Sequence, residues 1–123
     1  MILVDTSVWV DHLQRGNNDL VRWLNQGQVL SHPFVVGELA LGSLKQRAMV
    51  LDALRNLPVV TMATDAEVLG FISTQALYGV GIAYVDAHLL AAARLTAGTQ
   101  VWTMDKRLQA AATRLGLAHA LSH

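Results

Sequence analysis

Short aliphatic or β-branched runs alternate along the chain with longer segments in which apolar residues recur every three or four positions. Ile2, Leu3 and Val4 form the first run and end at Asp5-Thr6-Ser7, after which Val8, Trp9 and Leu13 recur at near-helical spacing until Gly16. Asn17, Asn18 and Asp19 supply capping chemistry for a second short helix carrying Leu20, Trp23 and Leu24, closed by Gly27. A strand at Val29-Leu30 follows. Pro33 then stands where a first helical position belongs, and the helix it opens carries one charged residue, Glu38, before Lys45, so that helix is expected to be buried. Residues 46–56 predict another helix and Pro58-Val59-Val60 a strand. Thr64-Asp65-Ala66-Glu67 has the form of a capping box, in which the threonine and glutamate side chains satisfy backbone N–H groups reciprocally, and predicts a helix through Leu77. Gly79 and Gly81 interrupt it. A further helix begins near Tyr84 or Val85 and runs through alanines toward Thr96, with Gly98 ending it. Val101-Trp102-Thr103 is the next strand, 105–115 a helix closed by Gly116, and 117–121 a last short strand.

Strands alternating with helices over short connections imply an α/β fold: one three-layer domain over 1–123, with a central parallel sheet of about four to five short strands flanked by helices. In such sheets, sites form beyond the carboxyl ends of strands, where both Asp5 and Asp105 fall.

Composition narrows the setting. With 53% hydrophobic and 15% charged residues the chain is neither disordered nor low in core-forming side chains, and 123 residues bury a sizeable core without disulfides, so the lack of cysteine removes no needed support and fits a reducing cytoplasm. No secretory signal is expected, since the apolar run at the start ends at Asp5. The longest weakly charged stretch, 68–93, is broken by Ser73, Thr74, Gln75, Gly79, Gly81 and Asp86 and reads as buried core rather than a membrane span. A formal net charge of zero gives no whole-molecule attraction to nucleic acid, so any phosphate attraction is local. Lys45 with Arg47 and Lys106 with Arg107 are the candidates, against solvated surface as the ordinary reading.

Nine residues are acidic, and five have ordinary explanations. Asp11 has polar neighbours, Asp19 lies near a helix start, Asp52 has Arg55 one turn on, and Asp65 and Glu67 complement the positive end of a helix. Asp5, Glu38, Asp86 and Asp105 instead stand in apolar company, and helical spacing aligns Glu38 with Phe34 and Leu41 and Asp86 with Leu90 and Ala93, so both are expected to face inward. Clustered carboxylates repel and are costly to bury; a divalent cation removes that conflict. Oxygen ligands without cysteine favour magnesium or manganese. The five histidines form no zinc set: His88 points away from Asp86, and His12, His32, His119 and His123 lack ligand spacing. A carboxylate-held metal suits phosphodiester hydrolysis. Ser7 and Thr103, each two residues from Asp5 or Asp105, are placed to orient a ligand carboxylate or a water, against plain helix-capping and strand roles.

Four segments together resemble the PIN domain, and within it the VapC-type toxins of prokaryotic type II toxin-antitoxin modules: Val4-Asp5-Thr6-Ser7-Val8-Trp9, Glu38-Leu-Ala-Leu-Gly, Gly81-Ile-Ala-Tyr-Val-Asp86-Ala-His-Leu-Leu-Ala, and Thr103-Met-Asp105-Lys-Arg-Leu. The resemblance covers nearly the whole chain. It implies a magnesium- or manganese-dependent endoribonuclease with Asp5, Glu38, Asp86 and Asp105 as its acidic set, a homodimer, and a cognate antitoxin protein that covers or disturbs the site. Asp5 is then expected to be the central ligand, Asp86 and Asp105 to complete the coordination, and Glu38 to bind metal or position the attacking water.

Two other readings compete. A haloacid-dehalogenase-like phosphatase also places an aspartate after a strand, but normally carries a second aspartate two residues on, where this chain has Ser7. A catalytically silent module of the same fold would bind RNA or an antitoxin only. The RNA itself is not specified: Trp9, Trp23, Trp102 and Tyr84 could each stack a base, although apolar neighbours favour core packing for most.

Overall fold

The first strand, β1 (Ile2–Val4), is buried at all three positions, which marks it as the centre of a sheet covered on both faces. In the computed structural model, which describes residues 1–120, it pairs in parallel with β2 (Val29–Leu30) on one side and β3 (Gln100–Trp102) on the other. Leu3 therefore lies opposite both Leu30 and Val101. Seven helices flank this sheet among the described residues: α1 (Thr6–Arg15), α2 (Asn18–Asn25), α3 (Pro33–Leu41), α4 (Arg47–Arg55), α5 (Asp65–Thr74), α6 (Tyr84–Leu95) and α7 (Lys106–Arg114). Residues 87–93 of α6 are all buried, so this helix runs through the core rather than over it. None of the described helices is long and apolar enough to cross a membrane.

The α/β architecture with a parallel sheet agrees with the sequence; the number of strands does not. Among the described residues three strands form, not four to five. The segment at Pro58-Val59-Val60 makes a single bridge, Ser31 to Val59, through Ser31 N–H to Pro58 O at 2.8 Å and Val60 N–H to Ser31 O at 3.0 Å. Pro58 has no N–H to extend that ladder. The expected strand at 117–121 is likewise one bridge, Val101 to Ala118, and Leu121 lies outside the described residues. The helix expected to reach Leu77 stops at Thr74, and the chain passes through Ala76 at φ 51°.

The third helix is also less buried than its composition implies. Val35 and Leu39 form its inward row, while Glu38 and Leu41 are exposed, Leu41 at 91%. Glu38 thus faces outward. The start of α3 is fixed instead by His32, wholly buried, whose Nδ1 accepts the Phe34 N–H at 3.0 Å. Its Nε2 has no hydrogen-bond partner among the described residues, and the ring packs against Phe34 and His88. Burial, with His88 contributing, pushes its pKa down to about 4.

A protonated ring would lose the cap, because Nδ1 would have become a donor. The unfolded chain takes up a proton near pH 6.5 that the folded chain refuses until about pH 4, so His32 stabilises the fold fully above pH 6.5 and progressively less between these values. Denaturant unfolding is expected to lose up to about 3 kcal/mol from this group on going from pH 7 to pH 4. His32→Asn, which keeps an acceptor for the Phe34 N–H but does not titrate, should flatten the profile in that window; a profile identical to wild type would refute the assignment.

Candidate active site

Three helix N-termini meet beyond the carboxyl ends of β1 and β3, and each brings one aspartate. Asp5 leaves β1 and occupies the N-cap position of α1, 6% exposed. Its backbone N–H donates to Trp102 O at 2.9 Å, which ties it to the end of β3. Its Oδ2 accepts the hydroxyls of both Ser7, at 2.8 Å, and Thr103, at 2.7 Å. Those hydroxyl oxygens themselves accept backbone N–H groups from the turn that follows β3: Ser7 Oγ from Met104 and Thr103 Oγ1 from Asp105, each at 3.0 Å.

Asp105 is the N-cap of α7, its Oδ1 accepting the N–H groups of Arg107 at 2.9 Å and Leu108 at 3.0 Å. It is exposed and has an ordinary capping role in addition to its place in the cluster. Asp86 lies in the first turn of α6, half-buried, with Oδ2 accepting the Ala83 N–H at 3.0 Å. Glu38 reaches the group from α3: its Oε1 accepts the Thr6 hydroxyl at 2.7 Å, so it is linked to Asp5 through the adjacent residue. Thr6 was not singled out from the sequence. Its only signal was its place between Asp5 and Ser7 at a helix start.

Burial raises the Asp86 pKa most, and the charges of Asp5, Asp105 and Glu38 add to it against the lowering effect of the Ala83 N–H. Among the described residues none of these four carboxylates is in an ion pair with a lysine or arginine. The ion pairs among the described residues are Arg15 with Asp11, Arg22 with Asp19 and His88 with Asp65. The helix N-termini offset part of the repulsion, since each carries partial positive charge. Inward burial, expected for these carboxylates, holds fully for Asp5 only: Glu38 and Asp105 are exposed, because the site opens to solvent.

The donor set, four carboxylates without thiol or imidazole, is of the kind that could hold a hard divalent cation such as magnesium or manganese. The match is one of chemistry and charge rather than of a closed cage: among the described residues no three His, Asp or Glu side chains stand close enough together to enclose an ion as they are.

The remaining acids have the local partners noted above or find their own. Glu67 completes the capping box with Thr64. Asp52 forms no ion pair with Arg55 among the described residues. Asp65 does more than face a helix dipole: it accepts the Tyr84 hydroxyl at 2.8 Å and meets His88 Nε2 at 3.1 Å, joining α5 to α6. The other described histidines serve packing and capping; His119 sits between Trp23 and Trp102, and His12 Nδ1 accepts the Asn17 N–H. A groove of 480 Å³ between α1 and α3 runs past Thr6 and Glu38, with Val10, Leu13, Leu39 and Leu44 on its walls.

The PIN domain family profile matches residues 2–114. The chain is 48% identical over 120 residues to Ribonuclease VapC32 of Mycobacterium tuberculosis, in both strain CDC 1551 / Oshkosh and strain ATCC 25618 / H37Rv, covering 98% of this chain and 97% of each relative. Two solved structures share the fold: FitAcB from Neisseria gonorrhoeae (TM-score 0.59, 24% identity, 92% of this chain and 94% of that one) and PAE2754 from Pyrobaculum aerophilum (TM-score 0.58, 19% identity, 89% and 78%).

Opposite effects on stability are expected from two conservative substitutions measured in chelator by denaturant unfolding. Thr103→Val removes the donor to Asp5 and the acceptor for Asp105 N–H from a buried position, and should cost about 1–3 kcal/mol. Asp86→Asn removes a repelled charge and should leave the fold as stable or on the order of 1 kcal/mol more stable. Destabilisation by Asp86→Asn would mean that the four carboxylates are not in electrostatic conflict.

Proposed function

The chain belongs to the PIN-domain family and, within it, to the VapC type, and from that premise we propose that it is a metal-dependent endoribonuclease, the toxin of a type II toxin-antitoxin module. The observation that carries the reading is the convergence of four carboxylates at the carboxyl end of a parallel sheet: Asp86 is half-buried, its pKa raised first by burial and further by the charges of Asp5, Asp105 and Glu38, and none of the four is in an ion pair among the described residues. Relatives called ribonucleases at 48% identity supply the substrate class.

Asp5, Asp86 and Asp105 are the residues that would hold magnesium or manganese. Bound there, the ion would supply positive charge against the scissile phosphate and lower the pKa of water. Ser7 and Thr103 fix the rotamer of Asp5 by occupying its Oδ2, which leaves Oδ1 directed by the same two bonds. Asp105 is held by the N-terminus of α7 and Asp86 by the Ala83 N–H, so each carboxylate has one oxygen committed to the scaffold and one free for the site. Glu38, exposed and anchored by Thr6, is placed to orient the attacking water and take its proton as one P–O ester bond breaks. The groove beside Glu38 suits an apolar segment of the antitoxin, which would cover the acidic site, and the active form is proposed to be a homodimer.

A binding-only protein of this fold is the second reading, favoured by the open spacing of the carboxylates. One experiment separates the two. Total RNA treated briefly with the protein and titrated magnesium should be cut, and Asp5→Asn and Asp86→Asn should each lose at least about a hundredfold in rate. Magnesium should also raise the melting temperature of wild type and not of Asp5→Asn. Full cleavage by either folded variant would sink the assignment, and binding without cleavage or metal-dependent stabilisation would favour the silent module.

A further inference from the structure

Two tyrosines flank a small pocket next to the acidic site, and neither is part of the core. Trp9 and Trp102 are buried, whereas Tyr78 is 69% exposed and Tyr84 46%. The pocket between them has a volume of 240 Å³, with Ile72, Leu77 and Ile82 as its apolar floor. Tyr84 stands two residues before Asp86, in the first turn of α6. It is not a loose surface ring: its hydroxyl donates to Asp65 Oδ1, and the His88 ring meets it perpendicularly with centroids 4.7 Å apart. Asp65 also raises the Tyr84 pKa, which keeps the hydroxyl a donor.

The turn linking the tyrosines carries glycine at two of its five positions. Gly79 and Gly81 both have positive φ, 73° and 85°. At Gly81 a Cβ would also lie 2.7 Å from Arg107 Nη1 and 2.8 Å from its Cδ, so the glycine lets the Arg107 side chain lie against the turn. Arg107 forms no ion pair among the described residues, while its own backbone N–H is bonded to Asp105. A free guanidinium therefore lies between the tyrosine pocket and the helix that carries one of the four acids.

We propose that this pocket is a nucleobase subsite: one unpaired base of the RNA enters between Tyr78 and Tyr84, and Arg107 takes a phosphate of the adjoining backbone. The proposal rests on the ribonuclease reading above and deepens it. Single-stranded RNA is read by bases splayed onto aromatic rings and arginine planes. The volume suits one ring system, since pockets for larger ligands run from roughly 300 to 1,000 Å³. An antitoxin helix would find more room in the 480 Å³ groove past Glu38. Because the whole chain has no net charge, phosphate capture must come from local cations, and Arg107 is one left unpaired beside the site.

The test is fluorescence anisotropy of labelled hexaribonucleotides on the full chain carrying Asp5→Asn, so that binding is read without cleavage. Tyr78→Ala and Tyr84→Ala should each weaken binding roughly five- to hundredfold, with Tyr84→Phe close to the parent. One abasic position in the hexamer should cause a loss of similar size in the parent and little further loss in Tyr78→Ala. Arg107→Gln should lower the slope of affinity against salt. Tyr78 makes no side-chain hydrogen bond among the described residues and is mostly exposed, so Tyr78→Ala remains decisive if Tyr84→Ala fails to fold. Unchanged affinity in folded Tyr78→Ala, or indifference to every abasic position, overturns the subsite; so does a shift from dimer to monomer in Tyr78→Ala with RNA affinity unchanged, which would give the face to a second copy. Cleavage by wild type in magnesium is scored separately. Cleavage without any tyrosine effect overturns the subsite and leaves the nuclease, whereas base-dependent binding without cleavage upholds the subsite and overturns the nuclease.

Discussion

The two hydroxyls on Asp5 Oδ2 are the constraint around which the rest is organised. A carboxylate at 6% exposure is tolerated only where its oxygens are satisfied, and here the donors come from opposite sides of a seam: Ser7 from the first turn of α1, Thr103 from the end of β3. Both donors are in turn pinned by backbone N–H groups of the turn that leads to Asp105. One buried anion thereby closes the sheet, sets the start of α1 and orders the start of α7. The same bonds that stabilise the fold decide which oxygen of Asp5 is left for chemistry.

Helix starts supply the other half of the arrangement. Asp5, Asp86 and Asp105 each sit within the first turn of a different helix, where unsatisfied N–H groups and the helix dipole favour negative charge. Three anions can therefore be held near one another without a basic side chain, although not without cost, as the raised Asp86 pKa records. Glu38 has no such helix end and is mid-helix and exposed, and among the described residues its carboxylate is held by the Thr6 hydroxyl. That difference matches the separate task proposed for it.

Much of this was legible in the sequence because local rules and tertiary demands coincide. The Thr64–Glu67 capping box, Pro33 at the first turn of α3 and the apolar runs of β1 and β3 appear where the residues put them. Ser7 lies two residues from the Asp5 it bonds and Thr103 two residues from the Asp105 whose N–H it accepts, but the bond from Thr103 to Asp5 spans 98 residues and no local spacing announced it. What could not be read depends on partners distant in the chain. Pro58-Val59-Val60 has strand-like residues, yet its extent is limited by the shortness of the neighbour it meets at Ser31. Glu38 shares a row with Phe34 and Leu41, but which row of α3 turns inward was decided by Val35 and Leu39 packing into the core. Asp65 was explained adequately by its helix end, and nothing nearby in the chain announced His88 and Tyr84 as its companions.

The interlock of Gly81 with Arg107 has a historical consequence. Any side chain at 81 must contend both with a positive φ and with a guanidinium already in its space, while a shorter residue at 107 removes only the second obstacle. Substitution at the two positions is therefore asymmetric: 107 can be shortened with the glycine kept, whereas a side chain at 81 is strained by its φ whatever stands at 107 and must also displace the Arg107 side chain where that is present. Across descendants of this sequence, glycine at 81 should therefore outlast arginine at 107.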